Sequence, residues 1–217
     1  MKLKKIASLA LAGVMAVSML TACGNGTDNN GEGEGENNGN AAGYSSVFAG
    51  MVSDDVKDLD YITFQDNATD AAALKDALGN RGAVVTLVNS LVGKASLVDE
   101  TSTVVADFMD ALDLNDYDYT KWNFGPTFMV NDTRKVGDIF VVDGTVDLTK
   151  ALKQIADNYY NNKLEALDEK GSVSNMTYDF HYTVSVSVVN KTVDTIDWYH
   201  GSANFIAVTV TRTGTNA

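Results

Sequence analysis

The chain has 217 residues, with 16 Lys and Arg against 29 Asp and Glu, a net charge of −13. So acidic a protein repels nucleic acid and anionic lipid headgroups and attracts cations and basic peptides, although high net charge also serves solubility alone. Its single cysteine excludes an internal disulfide, and a chain of this length that is 45 % hydrophobic can bury a core without one.

The chain opens on a basic stretch, Met1-Lys2-Leu3-Lys4-Lys5. An apolar run follows over residues 6–20, interrupted only by Ser8, Gly13 and Ser18. This run is shorter than the roughly 20 apolar residues a helix needs to cross a bilayer, and it fits the apolar region of a secretory leader. It closes in Leu20-Thr21-Ala22-Cys23. Charge, apolar run, small residue and cysteine in that order resemble the lipobox of bacterial lipoproteins. The resemblance implies that residues 1–22 are removed as a signal peptide. It implies further that the Cys23 thiol carries a diacylglyceryl group and holds the protein on the extracytoplasmic face of the cell membrane. Each buried lipid CH₂ contributes about 0.8 kcal/mol; one acyl chain holds marginally, whereas two anchor stably. Loss of Lys2, Lys4 and Lys5 with the leader takes the net charge from −13 to −16.

Residues 24–43, GNGTDNNGEGEGENNGNAAG, contain no large apolar side chain. They cannot offset the entropy of ordering, so residues 23–43 read as the lipidated cysteine and a disordered tether. Glycine makes the tether flexible, and Glu32, Glu34 and Glu36 swell it by mutual repulsion. A coil of about twenty residues reaches roughly 25 Å. Residues 44–217 then read as one extracytoplasmic domain.

The first half of that domain is helix-biased. Thr69-Asp70 suggests an N-cap with an acid in the first turn, before Leu74 and Leu78 spaced four apart, with a stop at Asn80-Arg81-Gly82. In residues 83–94, Val84, Leu87, Val88 and Leu91 follow a helical stripe that Gly93 ends. Ser96-Leu97-Val98-Asp99 has the shape of a capping box. Val104, Val105, Phe108, Met109 and Leu112 form one apolar helical face that ends near Asn115. An aperiodic loop over residues 115–126 holds the only proline. Residues 127–131 and 139–142 read as strands around a turn at 132–137. After a turn at Asp143-Gly144, Asp147 caps a helix over about 148–167 whose Leu152, Ile155, Tyr159 and Leu164 face inward, with Gly171 beyond its end.

The last segment alternates most clearly. Tyr182, Val184, Val186 and Val188 oppose Thr183, Ser185 and Ser187, as a half-exposed antiparallel strand requires. Asn204, Ile206, Val208 and Val210 likewise oppose Phe205, Ala207, Thr209 and Thr211. A shorter strand over 193–199 and a turn at His200-Gly201-Ser202 lie between them. The fold class is therefore α+β, with a helix-rich N-terminal half packed on one face of an antiparallel sheet formed largely by the C-terminal strands.

Two groups of residues could carry function. The aromatics Tyr117, Tyr119 and Trp122, with Phe124, together with Trp198, Tyr199 and His200 at a strand–turn junction, could stack on sugar rings while neighbouring Asp and Asn bond hydroxyls. Most such aromatics instead cover the edge of a core. Asp113, Asn115, Asp116 and Asp118 offer oxygen ligands to a cation. A calcium loop nonetheless needs Gly at position 6 and Glu at position 12, where Asp118 and Phe124 stand. Only His181 and His200 could serve as imidazole bases, and no nucleophile motif, zinc motif or phosphate loop occurs. The sequence calls for no catalytic residue, no cofactor and no nucleic-acid partner. It leads us to expect a non-enzymatic, membrane-anchored binding protein for an envelope or extracellular glycan, peptide or cation. The alternative is an assembly factor of an envelope complex, and a hydrolase ranks third.

Overall fold

The computed structural model describes residues 43–79, 93–99, 102–114, 122, 124, 133–173, 175–196 and 199–217. In chain order the elements are α1 (Tyr44–Met51), α2 (Asp54–Lys57), β1 (Ile62–Phe64), α3 (Ala68–Leu78), β2 (Ser96–Leu97), α4 (Thr103–Ala111) and β3 (Thr133–Asp143). They continue with α5 (Leu148–Ile155), a π-helical turn (Ala156–Tyr160), α6 (Asn161–Glu165), β4 (Lys170–Val173), β5 (Met176–Ile196) and β6 (Tyr199–Asn216). The fold is α+β, and the C-terminal strands form the centre of the sheet. The strand order is β1-β5-β6-β3-β2, with β4 pairing the start of β5. β1 runs parallel to β5, whereas the other pairs are antiparallel.

The helices lie on both faces of this sheet rather than on one. On one face α1 and the α5–α6 rod bring Phe48, Leu152, Ile155, Tyr160 and Leu164 onto Val136, Phe140, Val184, Ile206 and Val208. On the other, α3 and α4 bring Leu74, Leu78, Val105, Phe108 and Met109 onto Ile139, Val141, Phe205 and Ala207. The middle of β5 and β6 is thus covered on both sides. Ser185 and Ser187, expected on a solvated face, are buried. Small side chains at these positions let α3 come close to the strand.

Cap chemistry moves several expected boundaries. Asn67, not Thr69, caps α3, its side-chain oxygen accepting from the backbone N–H of Thr69 and of Asp70. Ser96 begins no helix: Ser96 and Leu97 pair with Val141 and Phe140, and Ser102 is the cap of α4. That helix stops at Ala111, short of Asn115, and Asp113 turns into the left-handed region at φ 52°. Residues 133–137, expected in a turn, are strand paired with β6. Asp147 caps α5 as expected, accepting from the Lys150 N–H at 2.9 Å. Gly171 lies inside β4, and His200, Gly201 and Ser202 lie inside β6, paired with Asp194, Val193 and Thr192 of β5. Residues 193–196 are therefore the end of β5 and not a separate strand. The expected helix over 83–94 falls outside the described residues up to 92, and the strand over 127–131 falls outside them entirely.

The rod from α5 to α6 deviates from a 3.6-residue period. Its π turn inserts one extra residue, so the inward position moves from Tyr159 to Tyr160, which is fully buried. Tyr159 remains partly buried, packed edge-on against Phe140 at 4.9 Å between ring centroids.

Long-range polar contacts set where β1 and α1 meet β5. The Ser45 hydroxyl accepts from the Val186 N–H at 2.9 Å, and the Gln65 N–H donates to the Val184 carbonyl at 3.0 Å. These two groups continue the pairing where the short β1 ends, which closes that stretch of the β5 edge. Asp66 in turn accepts from the Ser45 N–H at 3.0 Å, so the first turn of α1 is capped from a distant carboxylate. A Cβ at Gly43 would fall 1.5 Å from that carboxylate, so a larger residue there would displace the Asp66 side chain from its cap.

Candidate functional site

Among the expected aromatic site residues, the side chains of Trp122 and Phe124 can be placed, and Phe124 is buried in the core. The Trp122 indole N–H donates to Asp138 Oδ2 at 3.1 Å. The same oxygen receives the Tyr160 hydroxyl at 3.0 Å and the Lys163 ammonium at 3.1 Å. The Tyr160 proton is shared with the Val208 carbonyl, also at 3.0 Å. Lys163 sits over the Trp122 ring at 4.4 Å and the Tyr160 ring at 5.4 Å. The two rings meet edge-on at 5.2 Å. Asp138 is only 13 % exposed and Lys163 36 %. One indole face and the indole N–H are therefore already engaged. Chemically this is a clamp: a carboxylate on β3 holds the loop at residue 122 and the end of the α5–α6 rod together, with a cation–π contact closing it.

A second clamp lies on the opposite face. Asp70, in the first turn of α3, is 1 % exposed; its Oδ1 pairs with the Lys135 ammonium, and its Oδ2 accepts from the Thr209 hydroxyl. Lys135 is 16 % exposed. A third buried charge, Arg212, donates to the Phe124 carbonyl at 2.9 Å, with its guanidinium 4.8 Å from the Phe180 ring and 5.2 Å from the Phe124 ring. Beside it, burial pushes the Tyr182 phenol up to about 12; the Arg212 charge opposes that rise, and Asp168 and Tyr61 add to it. The Tyr182 hydroxyl donates to the Asp168 carbonyl at 2.9 Å, which requires the protonated form. Burial, and then Glu169, Asp168 and Asp60, also raise the Tyr61 phenol.

Tyr117, Tyr119 and Trp198 lie outside the described residues. The backbones of Tyr199 and His200 are in β6, paired with Ile196 and Asp194. Asp113 is exposed just after α4, while Asn115, Asp116 and Asp118 lie outside the described residues. Among the described residues no group of three His, Cys, Asp or Glu is placed to hold a metal ion. Cys23 also lies outside the described residues.

Sequence reasoning missed a different surface. The alternation of β6 continues beyond Thr211 through Thr213 and Thr215. Below Asp70 no helix covers this face among the described residues. One rank across the strands runs Thr63, Thr183, Thr211 and Lys135; the next runs His181, Thr213 and Thr133. Thr63, Thr133, His181 and Thr213 are exposed, and Thr183 and Thr211 half-buried. The signal was present as Thr-Val-Thr-Arg-Thr-Gly-Thr over residues 209–215.

No protein-family model matches the chain. Comparisons with curated proteins and with solved structures also return no match.

Proposed function

We propose that this protein is a lipid-anchored, extracytoplasmic binding protein that holds an envelope or extracellular ligand without transforming it. The observation that carries the location is the leader ending in Leu20-Thr21-Ala22-Cys23 and followed by a Gly/Asn/Glu tether. Two acyl chains on Cys23 give stable attachment, and the tether gives the domain room to meet a ligand away from the lipid surface. The polar face of the sheet that no described helix covers supports a binding role. The test is the mass of the mature N-terminus together with cell fractionation. The expected result is a chain beginning at an acylated Cys23, found with the membrane, and released into the soluble fraction by Cys23→Ala. A chain that begins elsewhere or carries no acyl mass refutes the location. The role in binding is read separately by thermal shift against glycans, basic peptides and divalent cations. A melting temperature unmoved by all of them refutes it.

One feature favours an assembly factor instead. β5 and β6 continue as a two-stranded arm, from Thr192 paired with Ser202 to Ile196 paired with Tyr199. That arm extends past the last β3 pair, Asp143 with Ala203, and among the described residues no third strand joins it. Open strand edges accept another chain by strand addition. Cross-linking on intact cells that captures a protein through this arm would support the assembly role.

A further inference from the structure

We infer that the threonine face formed by β1, β5, β6 and β3 is a docking surface for a neutral, hydroxyl-rich glycan strand. The inference rests on the binding role proposed above and names its surface and ligand class.

The chemistry of the face selects the occupant. Each threonine hydroxyl both donates and accepts, so it can meet sugar hydroxyls in either sense. Its methyl group offers contact to C–H faces, and its branched side chain loses little freedom on binding. Side chains repeat at about 6.8 Å along a strand and about 4.8 Å between strands, which gives an extended grid rather than a pocket. The hydroxyls present are weakly committed. Thr63 donates to the Tyr182 carbonyl at 3.2 Å and lies 3.4 Å from the Thr183 hydroxyl, while Thr213 and Thr215 reach the His181 and Asp179 carbonyls only at 3.4 and 3.5 Å; each oxygen keeps its acceptor capacity.

Charge argues for a neutral partner. The protein carries −13 overall, yet among the described residues the carboxylates bordering this face meet a cation: Asp70 pairs with Lys135, and Asp179 lies 3.1 Å from Lys170 in a solvent-exposed pair. An anionic polymer would need free cations here, and a metal ion or basic peptide would need free carboxylates. A protein partner of ordinary type would need large apolar or aromatic anchors, and the two ranks hold none.

The test is co-sedimentation of the full lipoprotein, held in non-ionic detergent, with chitin and cellulose as neutral probes and with dextran sulfate and chitosan beads as charged ones. We expect binding to at least one neutral glycan, little changed between low and high salt because no free charge is involved. The combined variant Thr183→Val, Thr211→Val and Thr213→Val keeps β-branched shape and removes three hydroxyls. It should bind at least about tenfold more weakly with unchanged circular dichroism, given the loss of several hydrogen bonds. Should it fail to fold, Thr213→Val alone, at an exposed position, should still weaken binding measurably. Binding unaffected by the valines, binding only to dextran sulfate or chitosan, or no binding to either neutral glycan overturns the inference. Acylation of Cys23 and thermal shifts with peptides or cations are independent readouts, so the broader proposal can stand when this one falls.

Discussion

Replacing Asp70 with alanine should destabilise the domain by about 3 kcal/mol. Asp70 is 1 % exposed and engages both Lys135 and Thr209. Removing one member of a buried ion pair costs about 3–5 kcal/mol, because the partner is left charged and poorly solvated. Lys135 is 16 % exposed, so its ammonium can swing partly to water, which places the cost at the lower end. The lost hydrogen bond to a charged group from Thr209 falls within the same figure, at about 1.5–3 kcal/mol. In urea, with a slope of roughly 2–3 kcal/mol per molar for a domain of this size, the midpoint should fall by about 1–1.5 M. The companion variant Asp70→Leu, Lys135→Met and Thr209→Val removes all three polar groups. Apolar replacement of a whole buried cluster is often neutral or stabilising, so its midpoint should lie at or above that of the parent. Equilibrium unfolding followed by far-ultraviolet circular dichroism measures both. An Asp70→Ala cost below about 1 kcal/mol would mean the carboxylate is solvated in solution, and a triple variant as unstable as the single one would refute the charge argument.

Two further outcomes follow from the other face of the sheet. Tyr160→Phe removes the hydroxyl shared by Asp138 and Val208 and should cost about 1–2 kcal/mol. The same substitution in an Asp138→Asn background should cost measurably less, and a double-mutant cycle reads the difference. For Tyr182 the folded phenol sits at about 12 against 10.0 for the free group. The folded state therefore holds the proton longer, so its contribution is complete below pH 10 and is lost as pH rises through 12. Screening at the phenol tip reduces that contribution to about 1–2 kcal/mol. Tyr182→Phe should flatten the loss of stability above pH 10, as measured by urea unfolding at fixed pH; an unchanged alkaline slope would count against burial as its cause.

Much of this architecture is legible because local chemistry and burial agree. Leu74 and Leu78, the face of α4 and the Asp147 cap do what their spacing demands; the alternation of β5 and β6 marks the strands, but their middle is covered on both faces, so Ser185, Ser187 and Thr209 are buried instead of solvated. The failures have physical causes. The π turn after Ile155 is set by packing, and a 3.6-residue stripe cannot show that Tyr160 replaces Tyr159 as the inward residue. β1 has three residues, too few for a pattern, and its place depends on Ser45, Asp66 and Val186, which are far apart in sequence. Residues 133–137 read as a turn because they are polar. Their lysine in fact answers a buried aspartate on α3, and their glycine fits where a Cβ would fall 2.6 Å from the Val208 carbonyl. The partner of Trp122 is hidden in the sequence for a related reason: Asp138, the acceptor of its N–H, stands on a strand whose polar start has the composition of a turn.

Threonine on an open strand face has an ordinary explanation, since it combines β-propensity with solubility. Solubility alone, however, would be served as well by acids, and this chain has 29 of them. On β6 the alternate positions from 209 to 215 are all threonine, and the acid nearest that run, Asp70, is turned inward and closed by Lys135. The half-buried carboxylate on the same side, Asp179, lies 3.1 Å from the Lys170 ammonium. A face lined by hydroxyls, with its described carboxylates beside cations, presents little net field to an approaching molecule. The cost of docking there is then the displacement of water from hydroxyls, which another hydroxyl-bearing surface can replace bond for bond. That requirement separates a neutral glycan from the charged ligands that the composition of the chain, taken alone, would favour.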